Sequence, residues 1–218
     1  MVRGVIFDID GVVLDSMSIW NDLGARYLRN RGICPEEGLN EILFSMSMEQ
    51  GADYLKGHYK LDESAEDILE GIRRMLQSFY YDEVPAKLGA GALMMFLRDK
   101  GIKITAATSS PRTHIEKALA RNGLLDFFDA IYTTTEVGVS KHAPDIYNRA
   151  ADFMGLGASE VLVIEDSLYA LKTAKKDGYK TVGVYDRDGE KNQTGVEATC
   201  DMYIKDLSEI VDRWEELQ

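Results

Sequence analysis

Short apolar runs alternate along this chain with longer stretches in which apolar residues recur every three or four positions. The short runs predict buried strands, and the longer pattern predicts amphipathic helices. The first strand begins at Gly4 and ends in two carboxylates, Asp8 and Asp10, and further strands are predicted over 102–108, 130–134, 161–164, 181–185 and 202–204. Helices are predicted over 89–100, 112–122, 143–154, 167–177 and 206–216. This alternation predicts an α/β fold, a doubly wound, Rossmann-like parallel sheet with helices on both faces.

Residues 15–82 interrupt the alternation, because they contain helical patterns and no convincing strand. The helical patterns cover 16–31, 38–58 and 64–81. We therefore expect a core domain formed by residues 1–14 and 83–218, and an α-helical cap domain, residues 15–82, inserted after the first strand. Ligands of doubly wound sheets bind at the carboxyl ends of the strands. An insertion at this point is therefore predicted to be a lid, with hinge segments at 15–16 and 81–87.

Asp8 and Asp10 are the most informative residues of the chain. In extended backbone, side chains at positions i and i+2 point to the same side, so both carboxylates are able to face one reacting centre. Gly11 permits a sharp turn directly after them. Two carboxylates at the end of a buried strand cost stability unless a cation or a reaction uses them. We interpret the pair as part of a site, and the alternative is a loop cap or a structural ion.

Charge and cysteine content narrow the classes of function. The 218 residues include 37 acidic and 25 basic ones, for a net charge of −12, whereas nucleic-acid binding requires clustered lysine and arginine. Cys34 and Cys200 lack paired spacing, which is typical of free thiols in a reducing compartment. The chain has neither an apolar signal region nor a run of about 18 apolar residues. We expect a soluble, cytoplasmic protein that binds neither nucleic acid nor membrane.

The segment after the second strand has the features of an anion-binding turn. Thr108 ends that strand, Ser110 is the predicted N-cap and Pro111 the predicted first residue of the next helix. The free N–H groups and the positive dipole end of such a helix attract an anion. A capping turn without a ligand is the alternative interpretation.

Taken in order, the polar segments resemble the four motifs of the haloacid dehalogenase superfamily. The matching residues are Asp8-Ile9-Asp10-Gly11-Val12, then Thr108, then Lys141, then Glu165-Asp166. The helical insertion after the first motif resembles the branch with a small α-helical cap, which includes phosphoglycolate phosphatases and β-phosphoglucomutases. The resemblance covers the whole chain and implies phosphoryl transfer to a carboxylate of the enzyme.

The resemblance implies a role for each matching side chain. Asp8 is implied to be the nucleophile that forms an aspartyl phosphate, and Asp10 the acid and base that serves the leaving oxygen and then water. The Thr108 hydroxyl and nearby backbone N–H groups, including that of Ser109, would bind the phosphoryl oxygens. Lys141 would hold the phosphate and the nucleophile together by its charge, although a lone lysine is ordinarily a solvated surface residue. The family commonly has proline after this lysine, whereas this chain has histidine.

A magnesium site follows from the same resemblance. Side chains of adjacent strand residues point to opposite faces, so either Glu165 or Asp166 is expected to bind the metal directly and the other through water. Asp166 is the first choice, and its alternative role is the N-cap of the next helix. Asp8, the carbonyl of Asp10, phosphate and waters would complete an all-oxygen site that suits Mg²⁺.

The sequence predicts a magnesium-dependent phosphatase that hydrolyses a small phosphorylated metabolite. The dehalogenase branch needs no metal. This chain has Asp10 and the pair Glu165-Asp166, which disfavours that branch. β-Phosphoglucomutases have a histidine and an arginine in the cap where this chain has Trp20 and Met48, which favours hydrolysis. These two residues are candidate walls of a substrate pocket, or else part of the cap core. A sugar-phosphate mutase and a catalytically silent binder of phosphorylated ligands are the alternatives, and the family resemblance suggests a monomer.

Overall fold

A six-stranded parallel sheet organises the larger part of the protein. The computed structural model describes residues 1–44 and 46–218. The strands are β1 (Gly4–Phe7), β2 (Lys103–Thr108), β3 (Ala130–Thr133), β4 (Val161–Glu165), β5 (Lys180–Val184) and β6 (Met202–Ile204). Their order in the sheet is β3-β2-β1-β4-β5-β6, and every pairing is parallel. The predicted doubly wound fold is therefore confirmed.

Two compact units divide the chain. One is formed by Met1–Met17 with Val84–Gln218, and the other by Ser18–Glu83. We refer to them as the core unit and the inserted unit. None of the helices in the described ranges combines the length and the apolar composition that a membrane span needs.

Helices cover the sheet of the core unit. They are α5 (Ala90–Asp99), α6 (Arg112–Arg121), α7 (Thr134–Val137), α8 (Asp145–Met154), α9 (Leu168–Lys176), α10 (Gln193–Thr199) and α11 (Ser208–Asp212). All residues of β1 and β4 are buried, as expected for central strands covered on both faces. One buried cluster joins β1, β2 and β4 to α8, through residues that include Ile6, Val163, Ile146 and Tyr147. This packing fixes the strand ends that carry the polar motifs.

The inserted unit consists of helices packed on one another. They are α1 (Met17–Arg29, whose first residue belongs to the core unit), α2 (Leu39–Phe44), α3 (Met48–Tyr59) and α4 (Ala65–Ser78), followed by a π-helical turn over Phe79–Glu83. Tyr27 and Ile68 are fully buried among them. The Arg31 guanidinium lies 3.6 Å above the centre of the Tyr27 ring and also bonds Glu63, so a charged side chain covers the edge of this small apolar core.

Three predicted helices differ from the structure. The predicted helix over 38–58 is two helices, because Ser47 and Gln50 form a reciprocal capping box that begins α3. The last predicted helix, 206–216, is α11 followed by a 3-10 turn over Trp214–Leu217. The third difference, at the start of α6, concerns the site and is described below. Two short helices, α7 and α10, have too few turns to show a period in the sequence.

The chain leaves and re-enters the core unit through two segments that are hydrogen bonded to each other. The Asp15 N–H donates to the Pro85 carbonyl at 3.0 Å, and the Lys87 N–H donates to the Val13 carbonyl at 2.8 Å. Directly after β1, the N–H groups of residues 12–14 donate to the Ile9 carbonyl, and Gly11 has a φ of 77°. This tight loop is the turn that glycine permits.

Candidate active site

The polar motifs of the core unit meet at the carboxyl ends of three neighbouring strands. Asp8 directly follows β1, Thr108 ends β2, and Glu165 ends β4 with Asp166 next to it. Because β1 lies between β2 and β4 in the sheet, these three strand ends are adjacent. A ligand at the carboxyl end of a doubly wound sheet binds at such a place.

Lys141 is buried beside two of these carboxylates. Its Nζ donates to Asp8 Oδ1 at 2.5 Å and also to Glu165 Oε1, and the residue is 2% exposed. Burial alone would lower the pKa of Lys141, but the charges of Asp8 and Glu165 raise it well above its ordinary value. Lys141 therefore lies in the site as a permanent cation and is not a solvated surface lysine.

Three buried carboxylates form the centre of the site. Asp8, Glu165 and Asp166 each offer an oxygen, and these oxygens lie within 4.8 Å of one another. Burial raises the pKa of Asp8 to about 8, with a further rise from Glu165 and a decrease from the Lys141 ammonium. Burial and the charges of Glu165 and Asp8 likewise raise the pKa of Asp166 well above its ordinary value. Like charges at this spacing favour protonated carboxyl groups unless a further cation joins the Lys141 ammonium.

The donor set fits a divalent cation. Three carboxylates, two of which contact the Lys141 ammonium, leave two negative charges in a buried cluster when all four groups are ionised. A divalent ion balances this excess, and oxygen ligands without nitrogen or sulfur are the preference of Mg²⁺. Such an ion would also lower the pKa of the neighbouring carboxyl groups.

Glu165 and Asp166 differ in how the protein occupies their oxygens. Glu165 Oε1 accepts from Lys141 and, at 3.3 Å, from the Tyr147 hydroxyl. Its Oε2 accepts from the backbone N–H groups of Asp166 and Ser167 and from the Ser167 hydroxyl, at 3.1, 3.3 and 3.0 Å. A carboxylate whose two oxygens already accept five hydrogen bonds has little capacity left for a metal. Among the described residues, no hydrogen-bond donor contacts the Asp166 carboxylate. This contrast favours Asp166 for direct metal contact and Glu165 for the support of Lys141.

Asp10 is held by two hydroxyl groups. Ser16 Oγ donates to Asp10 Oδ1 at 2.7 Å, and Ser110 Oγ donates to Asp10 Oδ2 at 2.6 Å. The predicted cap at Ser110 is therefore wrong: α6 begins at Arg112, its N-cap is Pro111, and the cap makes no side-chain hydrogen bond. The Ser110 hydroxyl instead donates to the Asp10 carboxylate, and a hydrogen bond to a charged acceptor is among the stronger ones that a hydroxyl makes.

Thr108 and Ser109 differ in exposure. Thr108 is fully buried and its Oγ1 accepts from the Ser110 N–H at 3.1 Å, which leaves its own hydroxyl hydrogen to donate. Ser109 is exposed. Both residues lie at the strand end next to Asp8, in the position that the sequence predicts for phosphoryl contacts.

Trp20 and Met48, the two candidate pocket residues of the inserted unit, line one cavity in that unit. The cavity has a volume of about 270 Å³, and its other described lining residues are Leu23, Gly24, Asn40, Leu43, Met46, Ser47, Gly51, Leu55 and Ile72. No lining residue among them is charged. The cavity therefore suits an uncharged group better than a phosphate.

Sequence reasoning missed several supports of the site. Ser16 is predicted as part of a hinge and Ser110 as an N-cap, but their hydrogen bonds to Asp10 are not predicted. Ser16 lies 6 positions from Asp10, which was the available signal, whereas Ser110 lies 100 positions away. Tyr147 is 1% exposed, and burial together with the Glu165 charge raises its pKa above the ordinary value. No spacing rule identifies it, because a tyrosine on an apolar helix face is ordinarily a core residue.

Comparison with known proteins identifies relatives of this chain. A phosphorylated carbohydrates phosphatase of Thermotoga maritima is 24% identical over 83% of this chain and 84% of its own length. A β-phosphoglucomutase of Bacillus subtilis is 28% identical over 84% of this chain and 83% of its own length. A crystal structure of a Thermotoga maritima protein provisionally named a β-phosphoglucomutase superposes with a TM-score of 0.87 at 23% identity, and covers all of both chains. This last likeness shows the fold.

The family assignment follows from a match over most of the chain. The family model of haloacid dehalogenase-like hydrolases matches residues 2–178, a range that contains every candidate catalytic residue of the core unit. The predicted resemblance is thereby confirmed, and the chain belongs to the haloacid dehalogenase-like hydrolase family.

Proposed function

We propose that this protein is a magnesium-dependent phosphatase that hydrolyses a small phosphomonoester through an aspartyl phosphate on Asp8. The observation that carries the proposal is the buried Lys141 ammonium between Asp8 and Glu165, next to Asp166. A buried cation at a nucleophilic carboxylate is what phosphoryl transfer requires, because the reaction depends on positioning and on charge stabilisation.

In the first step, an oxygen of Asp8 forms a bond to phosphorus while the ester oxygen departs. Asp10 gives its proton to that leaving oxygen, and the hydroxyl groups of Ser16 and Ser110 hold its carboxyl group in place. Lys141 remains beside the nucleophile and offers its charge to the phosphoryl oxygens. The Thr108 hydroxyl and the Ser109 N–H are the proposed further donors to them.

In the second step, water attacks phosphorus and frees Asp8. The Asp10 carboxylate accepts a proton from that water and so regains its initial protonated state. The bond between Asp8 and phosphorus breaks, and inorganic phosphate is released. Asp8 and Asp166 are the proposed metal ligands, together with the carbonyl of Asp10, while Glu165 orients Lys141. Magnesium bound there supplies positive charge that reduces the repulsion between the carboxylates and the incoming phosphate.

A phosphorylated carbohydrate is the substrate class that we propose to test first. The support is the T. maritima relative, whose name states that it acts on phosphorylated carbohydrates. The likeness to the B. subtilis β-phosphoglucomutase makes mutase activity the second candidate. Trp20 and Met48, at the positions where β-phosphoglucomutases have a histidine and an arginine, support hydrolysis, because neither side chain offers a cation to a second phosphate group.

Hydrolysis of p-nitrophenyl phosphate tests the reaction class. We expect turnover with Mg²⁺, loss of turnover with EDTA, and recovery when excess Mg²⁺ is added back. Turnover that EDTA does not reduce would contradict the proposed dependence on Mg²⁺. A folded protein without turnover would favour a catalytically silent binder of phosphorylated ligands.

Incubation with β-glucose 1-phosphate and a trace of the corresponding 1,6-bisphosphate separates the two candidates. A phosphatase releases inorganic phosphate faster than it forms glucose 6-phosphate. Formation of glucose 6-phosphate faster than release of inorganic phosphate would contradict the phosphatase and support the mutase.

A further inference from the structure

The loop that follows β5, Asp186–Glu190, lies against the proposed metal ligand Asp166. A Cβ atom placed on Gly189 would lie 2.9 Å from Asp166 Oδ2, and one placed on Gly11 would lie 2.5 Å from the same oxygen. Such separations are shorter than real Cβ contacts. Asp166 Oδ2 is thus confined between two glycines, one from the loop after β1 and one from the loop after β5.

The Asp186–Glu190 loop is itself anchored at its first residue. Asp186 is 4% exposed, and its Oδ1 accepts from the N–H groups of Asp188 and Gly189 at 2.8 and 2.9 Å. Its Oδ2 lies 2.6 Å from the Nζ of Lys87. A buried carboxylate with these partners fixes the path of the backbone that brings Gly189 to Asp166.

Glu190, the last residue of the loop, accepts a hydrogen bond from the backbone that follows Asp166. Glu190 Oε2 accepts from the N–H of Leu168 at 3.3 Å, and Leu168 is the first residue of α9, two positions after Asp166. Glu190 Oε1 also accepts from the Asn192 N–H at 2.9 Å. The loop therefore contacts both the side chain of Asp166 and the backbone that carries it.

We propose that the Asp186–Glu190 loop positions the Asp166 carboxylate for a divalent cation, with Gly189 and Glu190 as the positioning residues. The inference rests on the proposed function in that Asp166 is taken as a metal ligand. None of the four family motifs includes this loop. Residues that orient a metal ligand typically alter metal affinity by 10- to 100-fold when they are changed, so the loop is expected to affect metal affinity more than the chemistry.

Gly189→Ala tests the contact directly. Gly189 lies outside the positive-φ region, so the added methyl group acts by its volume and not by backbone strain. Gly157→Ala is the matched control, because the Cβ would meet only Glu160 Oε2, at an ordinary 3.8 Å. Binding of Mn²⁺, followed by the electron paramagnetic resonance signal of the free ion, gives affinity without any need for turnover.

We expect Gly189→Ala to weaken Mn²⁺ binding by about tenfold or more, and Gly157→Ala to bind as the wild type does. The Mg²⁺ concentration for half-maximal p-nitrophenyl phosphate hydrolysis should rise by a similar factor, with kcat at saturating Mg²⁺ within about twofold of wild type. A Gly189→Ala protein that melts at a lower temperature and binds Mn²⁺ like the wild type would overturn the proposal.

A second pair of variants keeps the test open if Gly189→Ala does not fold. Glu190 is half-buried, and glutamine retains an acceptor for the Leu168 N–H while alanine does not. Glu190→Ala should weaken Mn²⁺ binding several-fold, whereas Glu190→Gln should bind Mn²⁺ nearly as tightly as the wild type does. The same Mn²⁺ affinity in the two variants would refute the positioning role. If the wild type binds no Mn²⁺ and needs no metal, the proposed function itself fails, and the positioning role with it.

Discussion

Replacement of Lys141 by methionine tests whether one buried ammonium holds the acidic cluster together. Methionine occupies a similar volume and carries no charge, so the variant leaves Asp8 and Glu165 buried without the cation that contacts both. Breaking a buried ion pair by removal of one partner costs roughly 3–5 kcal/mol. We expect the free energy of unfolding to fall by that amount near neutral pH.

The pH dependence of this loss follows from how a buried carboxylate is neutralised. Burial raises the pKa of Asp8 to about 8 although Lys141 lowers it, so removal of Lys141 raises that pKa further. Folded Asp8 then stays protonated to higher pH, at a cost of about 1.4 kcal/mol for each pH unit between the two folded-state pKa values. The unfolded chain is ionised in this range, so the penalty on the folded state decreases as the pH falls. The difference in unfolding free energy between Lys141→Met and wild type should therefore shrink on acidification.

Urea unfolding followed by circular dichroism, at several pH values in this range, measures both quantities. Lys172→Met is the control, because Lys172 is exposed on α9 and such a substitution changes stability by less than about 0.5 kcal/mol. The double variant Lys141→Met with Glu165→Gln should recover part of the loss, because a second charge is removed. A Lys141→Met protein as stable as Lys172→Met near neutral pH, or a difference that grows on acidification, would refute the reasoning.

Three further outcomes are expected. Asp8→Asn should reduce the turnover of p-nitrophenyl phosphate to below about a hundredth of wild type, and higher residual activity would argue against Asp8 as the nucleophile. Its melting temperature should change little, because Lys141 keeps Glu165 as a partner and one of three mutually repelling carboxylates is removed. Asp10→Asn should slow the hydrolysis of alkyl phosphates more than that of p-nitrophenyl phosphate, because a poor leaving group needs the proton; equal losses would contradict its role as an acid. Hydrogen bonds from the Arg112 guanidinium lower the pKa of Glu136 from 4.5 to about 2, so its carboxylate stabilises the fold above about pH 4.5 and ceases to do so as the pH falls through about 2. Glu136→Gln should thus melt below wild type near neutral pH, with a difference that disappears toward pH 2, and a constant difference would contradict this assignment.

The sheet was predictable because its strands are short, apolar and bounded by turn residues. The predicted second strand, 102–108, differs from β2 by one residue, and the fourth from β4 by one. The helix over 38–58 was predicted as one element, because its apolar period continues across a break that only the capping box at Ser47 explains. Periodicity reports which face is apolar and does not report where one helix ends and the next begins.

The candidate site was predictable in its residue types and less so in its contacts. Asp8 and Lys141 are 133 positions apart and share a hydrogen bond, although β2 separates β1 from β3, the strand that precedes Lys141. The hydrogen bond from Ser110 to Asp10 joins residues 100 positions apart, an approach in space that the local sequence does not contain. Gly189 is one of many loop glycines in the sequence, and only the position of Asp166 Oδ2 gives it a specific role.

Chemical trapping of the phosphorylated enzyme tests the central claim most directly. Acid quench during steady turnover, followed by borohydride reduction, converts an aspartyl phosphate to homoserine, and peptide mass spectrometry then locates the altered residue. The account predicts homoserine at position 8 in samples that contain both Mg²⁺ and substrate, and aspartate there when either is omitted. Sustained turnover with unmodified Asp8, or modification at another carboxylate, would contradict it.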